Sequence, residues 1–142
     1  MYIISACLAG VNCKYNGENN KNNKILKLVQ EGKAILVCPE QLGGLSTPRL
    51  PSEIVVKDGK KKVLANDGTD VTENFLKGAD ETLKIAKMVG ISKAILKARS
   101  PSCGYGEIYD GTFSGTTKRG NGITAELLKE NGIKLYTEEE FW

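Results

Sequence analysis

Four cysteines and no histidine define the chemistry open to this chain. Cys7, Cys38 and Cys103 each follow a short apolar run, at residues 2–6, 34–37 and 94–96, and Cys13 is the fourth. The absence of histidine excludes Ser-His-Asp triads and mixed Cys/His zinc sites. Acid–base work then falls to carboxylates, lysines, tyrosines or cysteines. Single free cysteines are often small buried hydrophobes. Three of them just past strand ends, two beside proline, point instead to one site for a metal or cluster. Zinc in a closed structural site wants four ligands, with Cys13 as the fourth. An iron–sulfur cluster takes four thiolates, or three with one iron left open. No C-x₂-C pair is present, which weakens zinc-ribbon and ferredoxin readings. A closed, non-catalytic iron–sulfur or zinc module and a thiol redox protein using Cys7 with Cys13 are the competing classes.

A site of this kind needs elements that bring the cysteines together. Residues 2–6 form a first strand. Asn22-Asn23 caps a helix with Ile25, Leu26, Leu28 and Val29, which ends at Gly32. Ala34-Ile35-Leu36-Val37 is a continuous apolar run, as in a strand buried on both faces. A Gly/Pro/Ser-rich loop spans residues 41–52, and residues 53–56 and 62–65 flank Asp58-Gly59 as a hairpin excursion. Asp70 or Thr72 caps a long amphipathic helix carrying Phe75, Leu76, Ala79, Leu83, Ile85, Ala86 and Val89, stopped by Gly90. Residues 94–96 are the next strand, residues 105–122 a long loop or lid, residues 124–131 a helix and residues 133–136 a last strand. The alternation predicts one α/β domain over residues 1–142: an open, mostly parallel, Rossmann-like sheet flanked by helices, with a β-hairpin excursion. Ligands bind such sheets outside the carboxyl ends of the strands, which is where the cysteine loops fall.

Bulk properties narrow the partners. With 20 basic and 17 acidic residues the net charge of +3 is too mild for duplex nucleic-acid binding. Lys57, Lys60, Lys61 and Lys62 surround the Asp58-Gly59 turn and read as a solvated hairpin. No apolar run approaches the ~20 residues a bilayer requires. The opening residues lack a basic segment before an apolar core, so the expected location is the cytoplasm, where thiols stay reduced. Oligomeric state leaves no sequence signature here.

Ser5-Ala6-Cys7-Leu8-Ala9-Gly10, Lys14-Tyr15-Asn16-Gly17, Cys38-Pro39-Glu40, Gly43-Gly44-Leu45, Pro48-Arg49, Ser100-Pro101-Ser102-Cys103-Gly104 and Gly120-Asn121-Gly122-Ile123-Thr124 together resemble the DUF523 family over nearly the whole chain. That family includes thiouracil desulfidases. The resemblance implies a [4Fe-4S] cluster on three cysteines, here Cys7, Cys38 and Cys103, with the fourth iron free for substrate sulfur. It also implies Glu40 and Ser100 as catalytic residues. Cys13 is an additional cysteine, and Asn16 stands where relatives often carry aspartate.

On this basis the expected reaction is non-redox removal of sulfur, as sulfide, from a small thiolated pyrimidine: 2- or 4-thiouracil or their nucleosides or nucleotides. A thiophilic iron binds the thiocarbonyl sulfur, Glu40 takes a proton from water, and Ser100 orients that water. Glu40 has a plainer role as a turn cap, and Ser100 and Ser102 as turn formers around Pro101. Gly120, Asn121 and Gly122 offer backbone N–H groups to an anion or a pyrimidine carbonyl, or merely lead into a helix. Arg49, Arg99 and Arg119 are candidates for phosphate contact, with surface placement the commoner fate. Asp67, Asp70 and Glu107 are the reserve carboxylates should Glu40 not be the base.

Overall fold

The computed structural model describes residues 1–140. Its centre is a four-stranded parallel sheet of β1 (Tyr2–Ser5), β2 (Ala34–Val37), β5 (Lys93–Leu96) and β8 (Lys134–Thr137), in the order β2-β1-β5-β8. The register aligns Ile3 with Ile35 and Ala94, Ile4 with Ile95, and Leu96 with Thr137. Side chains alternate across a strand. One face of the sheet therefore carries Ile3, Ala94 and Leu96, packed with Ala86, Ala125 and Leu128 from α3 (Thr72–Val89) and α4 (Ile123–Glu130). The other face carries Ile4 and Ile95 against Ile25 of α1 (Asn23–Gln30). These nine buried residues are all isoleucine, leucine or alanine.

The helix boundaries follow from local chemistry. The Asn22 side chain accepts from the N–H groups of Lys24 and Ile25 and opens α1. Asp70 Oδ1 accepts from the Thr72 N–H at 2.9 Å and from its hydroxyl at 2.6 Å, at the start of α3. Gly90, at φ +78°, closes α3 in the left-handed conformation that suits glycine. Two small elements complete the frame. α2 (Pro39–Leu42) follows β2 directly, with proline in its first turn. The hairpin β3 (Ser52–Lys57) and β4 (Lys60–Ala65) packs Ile54 and Val63 on Phe75 of α3.

Three expectations change in detail. Residues 34–37 form an edge strand, with Ala34, Ile35 and Leu36 only half-buried; the doubly covered strands are β1 and β5. Residues 105–122 are not simply a loop, because β6 (Glu107–Tyr109) and β7 (Thr117–Arg119) pair as a hairpin. Residues 41–52 begin inside α2 rather than in a loop. Among the described residues no helix is long and apolar enough to cross a membrane.

Glycine fixes how α2 sits. A Cβ on Gly78 of α3 would overlap the Pro39 carbonyl, and a Cβ on Gly43 would overlap the Asn74 carbonyl. The two backbones touch, and Asn74 Nδ2 donates to the Gly43 carbonyl at 2.9 Å. Gly78→Ala must push α2 off α3. It is expected to lower stability by roughly 1–3 kcal/mol, the usual cost of overpacking, despite the better helix propensity of alanine. Urea denaturation of the variant measures this; an unchanged midpoint would show that the contact gives way freely.

Candidate active site

Each of the three strands β1, β2 and β5 hands over to a loop at the same edge of the sheet. Cys7 lies in a 3-10 turn, Ala6–Ala9, directly after β1. Its carbonyl accepts from Asn20 N–H at 2.9 Å and its thiol from Asn20 Nδ2 at 3.7 Å, which folds residues 10–22 back over the turn. Cys38 ends β2 and stands at the N-cap of α2. Cys103 follows β5 in a tight turn whose core is the Ser100 hydroxyl, which accepts from the N–H groups of Ser102 at 3.1 Å and Cys103 at 3.0 Å. Gly104 is required there, since a Cβ would lie 2.6 Å from the Ser100 carbonyl oxygen.

All four cysteines are free thiols, and all four line one cavity of about 580 Å³. Cys13 comes from the loop after the Cys7 turn and is buried. Its thiol is hydrogen-bonded to both Cys38 and Cys7, which holds the proton on Cys13 and raises its pKa far above the ordinary value. The same bonds work oppositely on its neighbours. Cys38 is pulled down to about 6, first by Cys13, then against burial by the Gln41 amide and the Arg49 charge. Cys7 is lowered by Cys13, with help from the Asn20 amide and Lys97. Cys103 is pushed up to about 12 by complete burial, only partly offset by hydrogen bonds with Ser5 and Ser102.

Cysteine-bearing loops around an open volume suit a polynuclear iron–sulfur group, which takes its thiolates from several loops. A single zinc ion requires its ligands to converge on a point. Among the described residues no three His, Cys, Asp or Glu side chains are placed to hold one metal ion. The donor set therefore fits a cluster on separate loops better than a four-cysteine zinc site.

Beside the thiols stands a network built on Glu40, in the first turn of α2. Glu40 Oε1 accepts from Arg49 Nε at 3.0 Å, and Oε2 accepts from the Ser102 hydroxyl at 2.8 Å. Ser102 Oγ lies 3.0 Å from Ser100 Oγ and 3.8 Å from Cys103 Sγ. Arg49 makes three further bonds: Nη2 donates to the Cys13 carbonyl at 2.9 Å, and Nη1 to the Ser46 carbonyl at 3.1 Å and Thr47 Oγ1 at 2.8 Å. Its side chain is 9% exposed and that of Glu40 15%, so this ion pair is largely shielded from water.

Cys7, Cys38, Cys103, Glu40 and Ser100 thus line one cavity, together with Ser102 and Arg49. Ser102, which the sequence leaves as a turn former, is the hydroxyl that touches Glu40; Ser100 stands one hydrogen bond behind it. Arg49, for which the surface is the default, is buried against the carboxylate. Gly120, Asn121 and Gly122 lie apart from the cavity lining, at the entry to α4. The N–H groups of Gly120 and Gly122 already bond to the carbonyls of Gly106 and Gly104, and Asn121 Oδ1 accepts from Gly106 N–H. None of the three lines the cavity. They brace the Cys103 turn from behind, so closely that a Cβ on Gly122 would lie 2.5 Å from the Ser102 carbonyl oxygen. Arg99 forms a two-pronged pair with Glu139, and Arg119 is exposed on β7. Asp67, Asp70 and Glu107 are exposed and away from the cavity lining; the second lining carboxylate is Glu53.

The thiol order is open to measurement. In metal-free protein at pH 7, iodoacetamide is expected to alkylate Cys38 first and Cys13 and Cys103 last, because only the thiolate reacts. The rate at Cys38 should hold from pH 8 down to about 7 and fall as pH drops through its pKa near 6. An ordinary thiol loses rate already below about 8.5. Peptide mass mapping after partial labelling reads the order; first labelling at Cys13 or Cys103 would overturn it.

Known proteins resemble this chain over nearly its whole length. The 2-thiouracil desulfurase family model matches residues 2–140. YbbK of Bacillus subtilis (strain 168) is 49% identical over 146 residues, spanning 99% of this chain and 97% of its own length. The solved structure of the [4Fe-4S]-dependent thiouracil desulfidase TudS (DUF523Vcz) matches with a TM-score of 0.90 and 41% identity, over 99% of this chain and 91% of that one. Since the family model runs from the first strand to the end of the described residues, the chain belongs to the 2-thiouracil desulfurase family.

Proposed function

We propose that this protein is a thiouracil desulfidase that removes sulfur hydrolytically, with a [4Fe-4S] cluster held by Cys7, Cys38 and Cys103. What supports this reading above all is that three thiols on separate loops and a shielded Glu40–Arg49 pair open into one cavity. Bound there, the cluster supplies a thiophilic Lewis acid that draws electron density from the C–S bond.

The chain's own residues do the rest. Glu40 faces the cavity with one oxygen held by Arg49 and the other by Ser102. Each oxygen has a second lone pair, so the carboxylate stays able to take a proton from a water at the ring carbon. Ser102 fixes the side-chain angle of Glu40, and Ser100 fixes Ser102 while tying off the backbone around Cys103. The water oxygen bonds to the carbon that loses sulfur, and the sulfur leaves as hydrosulfide. Oxidation states of carbon and sulfur are unchanged, so no electron donor is involved. The substrate is a small thiolated pyrimidine, the working unit is one domain, and a cluster held by three cysteine thiolates calls for a reducing compartment such as the cytoplasm.

Two tests follow from these roles. Cys7→Ser, Cys38→Ser and Cys103→Ser should each lose most bound iron after anaerobic reconstitution, while Cys13→Ser should keep it. Loss of iron in Cys13→Ser would replace the open-iron site by a four-cysteine one. Glu40→Gln fits the network, because its amide oxygen can accept from Arg49 while its NH₂ faces Ser102. It should therefore keep fold and iron but lower turnover of 2- or 4-thiouracil by roughly 10²–10⁴, the usual weight of a general base. Ser102→Ala, which loses the direct bond to Glu40, and Ser100→Ala should cost less than Glu40→Gln. Sulfide release at equal iron content measures all three; full turnover in Glu40→Gln would move the base elsewhere.

A further inference from the structure

The tip of the β6–β7 hairpin, residues 110–116, reaches the cavity lining through Phe113 and Gly115. This tip is rigid by its own bonds. Asp110 Oδ1 accepts from the Thr112 N–H at 3.0 Å and hydroxyl at 2.6 Å, Thr112 Oγ1 lies 2.6 Å from Ser114 Oγ, and Ser114 donates to Thr116 Oγ1 at 2.9 Å. Every polar side chain from 110 to 116 is thus used inside the tip. Phe113 is the odd member: apolar, 39% exposed, and lining the cavity.

Its backbone is also unusual. Phe113 adopts φ +56°, the left-handed region that L side chains avoid, although Gly111 and Gly115 on either side show that glycine is used where the same tip turns. What holds it there reaches across from β3. Glu53 Oε1 accepts from the N–H groups of Gly111 at 2.9 Å and Phe113 at 3.2 Å. Gly111 packs so closely on β3 that a Cβ would lie 2.7 Å from the Ile54 carbonyl oxygen. A half-buried carboxylate is thus spent on two backbone amides, and the result is one phenyl ring fixed at the wall of the cavity. Glycine or asparagine would relieve the strain; only an aromatic residue supplies a flat π-face. The other aromatic residues lining the cavity, Tyr15 and Tyr109, carry polar tips.

We propose that Phe113 is the stacking face for the pyrimidine ring and that Glu53 is the positioning residue that pins it. This rests on the desulfidase reading for its ligand, and it adds the residue that recognises the ring rather than the sulfur. Uracil, the sulfur-free product, probes it without requiring turnover. In cluster-loaded protein of equal iron content, Phe113→Ala and Phe113→Leu should raise the dissociation constant of uracil by roughly tenfold, the weight of one base–aromatic stack. The KM for 4-thiouracil should rise alongside, with kcat little changed. Phe113→Tyr keeps the face and should bind like wild type. Glu53→Ala should weaken uracil binding several-fold, while Glu53→Gln, which still offers an acceptor oxygen, should not. The double variant Glu53→Ala/Phe113→Ala should bind no worse than Phe113→Ala alone, because Glu53 acts through the ring.

Wild-type binding in Phe113→Leu would show that apolar bulk, not a π-face, is what matters, and would overturn the proposal. Multiplying effects in the double variant would overturn the assigned role of Glu53. If wild-type protein turns over thiouracil while Phe113→Leu is unaffected, only the stacking assignment fails. If fully loaded wild type binds no uracil and releases no sulfide, the desulfidase reading fails with it.

Discussion

Parallel pairing of β2, β1 and β5 brings three carboxyl-terminal strand ends to one edge, and each strand passes there into a segment that bears cysteine. In an antiparallel arrangement neighbouring strands would send their ends to opposite edges, and the thiols could not share a cavity. The pairing is held by the core on both faces, by Ile3, Ala94 and Leu96 on one and Ile4 and Ile95 on the other, all fully buried. The site's reach therefore depends on packing on both faces of the sheet. Substitutions there would be felt at the cavity through register, since a one-residue slip turns every inward side chain outward.

Gathering thiols raises an electrostatic difficulty that the chain meets locally. A charge on Cys38 raises the cost of ionising Cys7, and charges on both raise that of Cys103. Cys13 relieves this by remaining a thiol, its one S–H hydrogen within reach of either neighbour. Arg49 adds a fixed positive charge nearby while bonding to the Cys13 carbonyl, so one guanidinium ties the Cys13 loop to Glu40. A lysine at 49 could not make those contacts together, because it lacks the planar fork of donors.

The frame of this fold was legible because its signals are periodic or positional. Strands end at cysteines, helices end at Gly32 and Gly90, and Asn22 caps as its side-chain chemistry requires. The failures share a cause. An apolar run shows that residues 34–37 are a strand but not where that strand lies in the sheet. The β6–β7 hairpin has only three residues per strand, amid Gly, Thr and Ser that favour loops. Whether Ser100 or Ser102 meets Glu40 depends on the turn around Pro101, which sets Ser100 Oγ on the N–H groups of Ser102 and Cys103 and leaves Ser102 Oγ to donate to Glu40. The burial of Arg49 depends on partners 9 and 36 residues away, which no local pattern encodes.

The same contrast separates the two ends of the cavity. Cys7, Cys38, Glu40 and Cys103 announce themselves by residue type, because few other side chains bind soft metals or move protons. Glu53 and Phe113 do not: a glutamate in a hairpin strand and a phenylalanine in a Gly/Ser/Thr loop are ordinary until a left-handed φ and two amide–carboxylate bonds link them across 60 residues. Chemistry that breaks a bond constrains which residue types can serve, and so leaves a motif. Recognition of a flat ring needs only a surface in the right place, which many sequences can supply. Its determinants must therefore be read from strain and from hydrogen bonds that serve no purpose in stabilising a regular element.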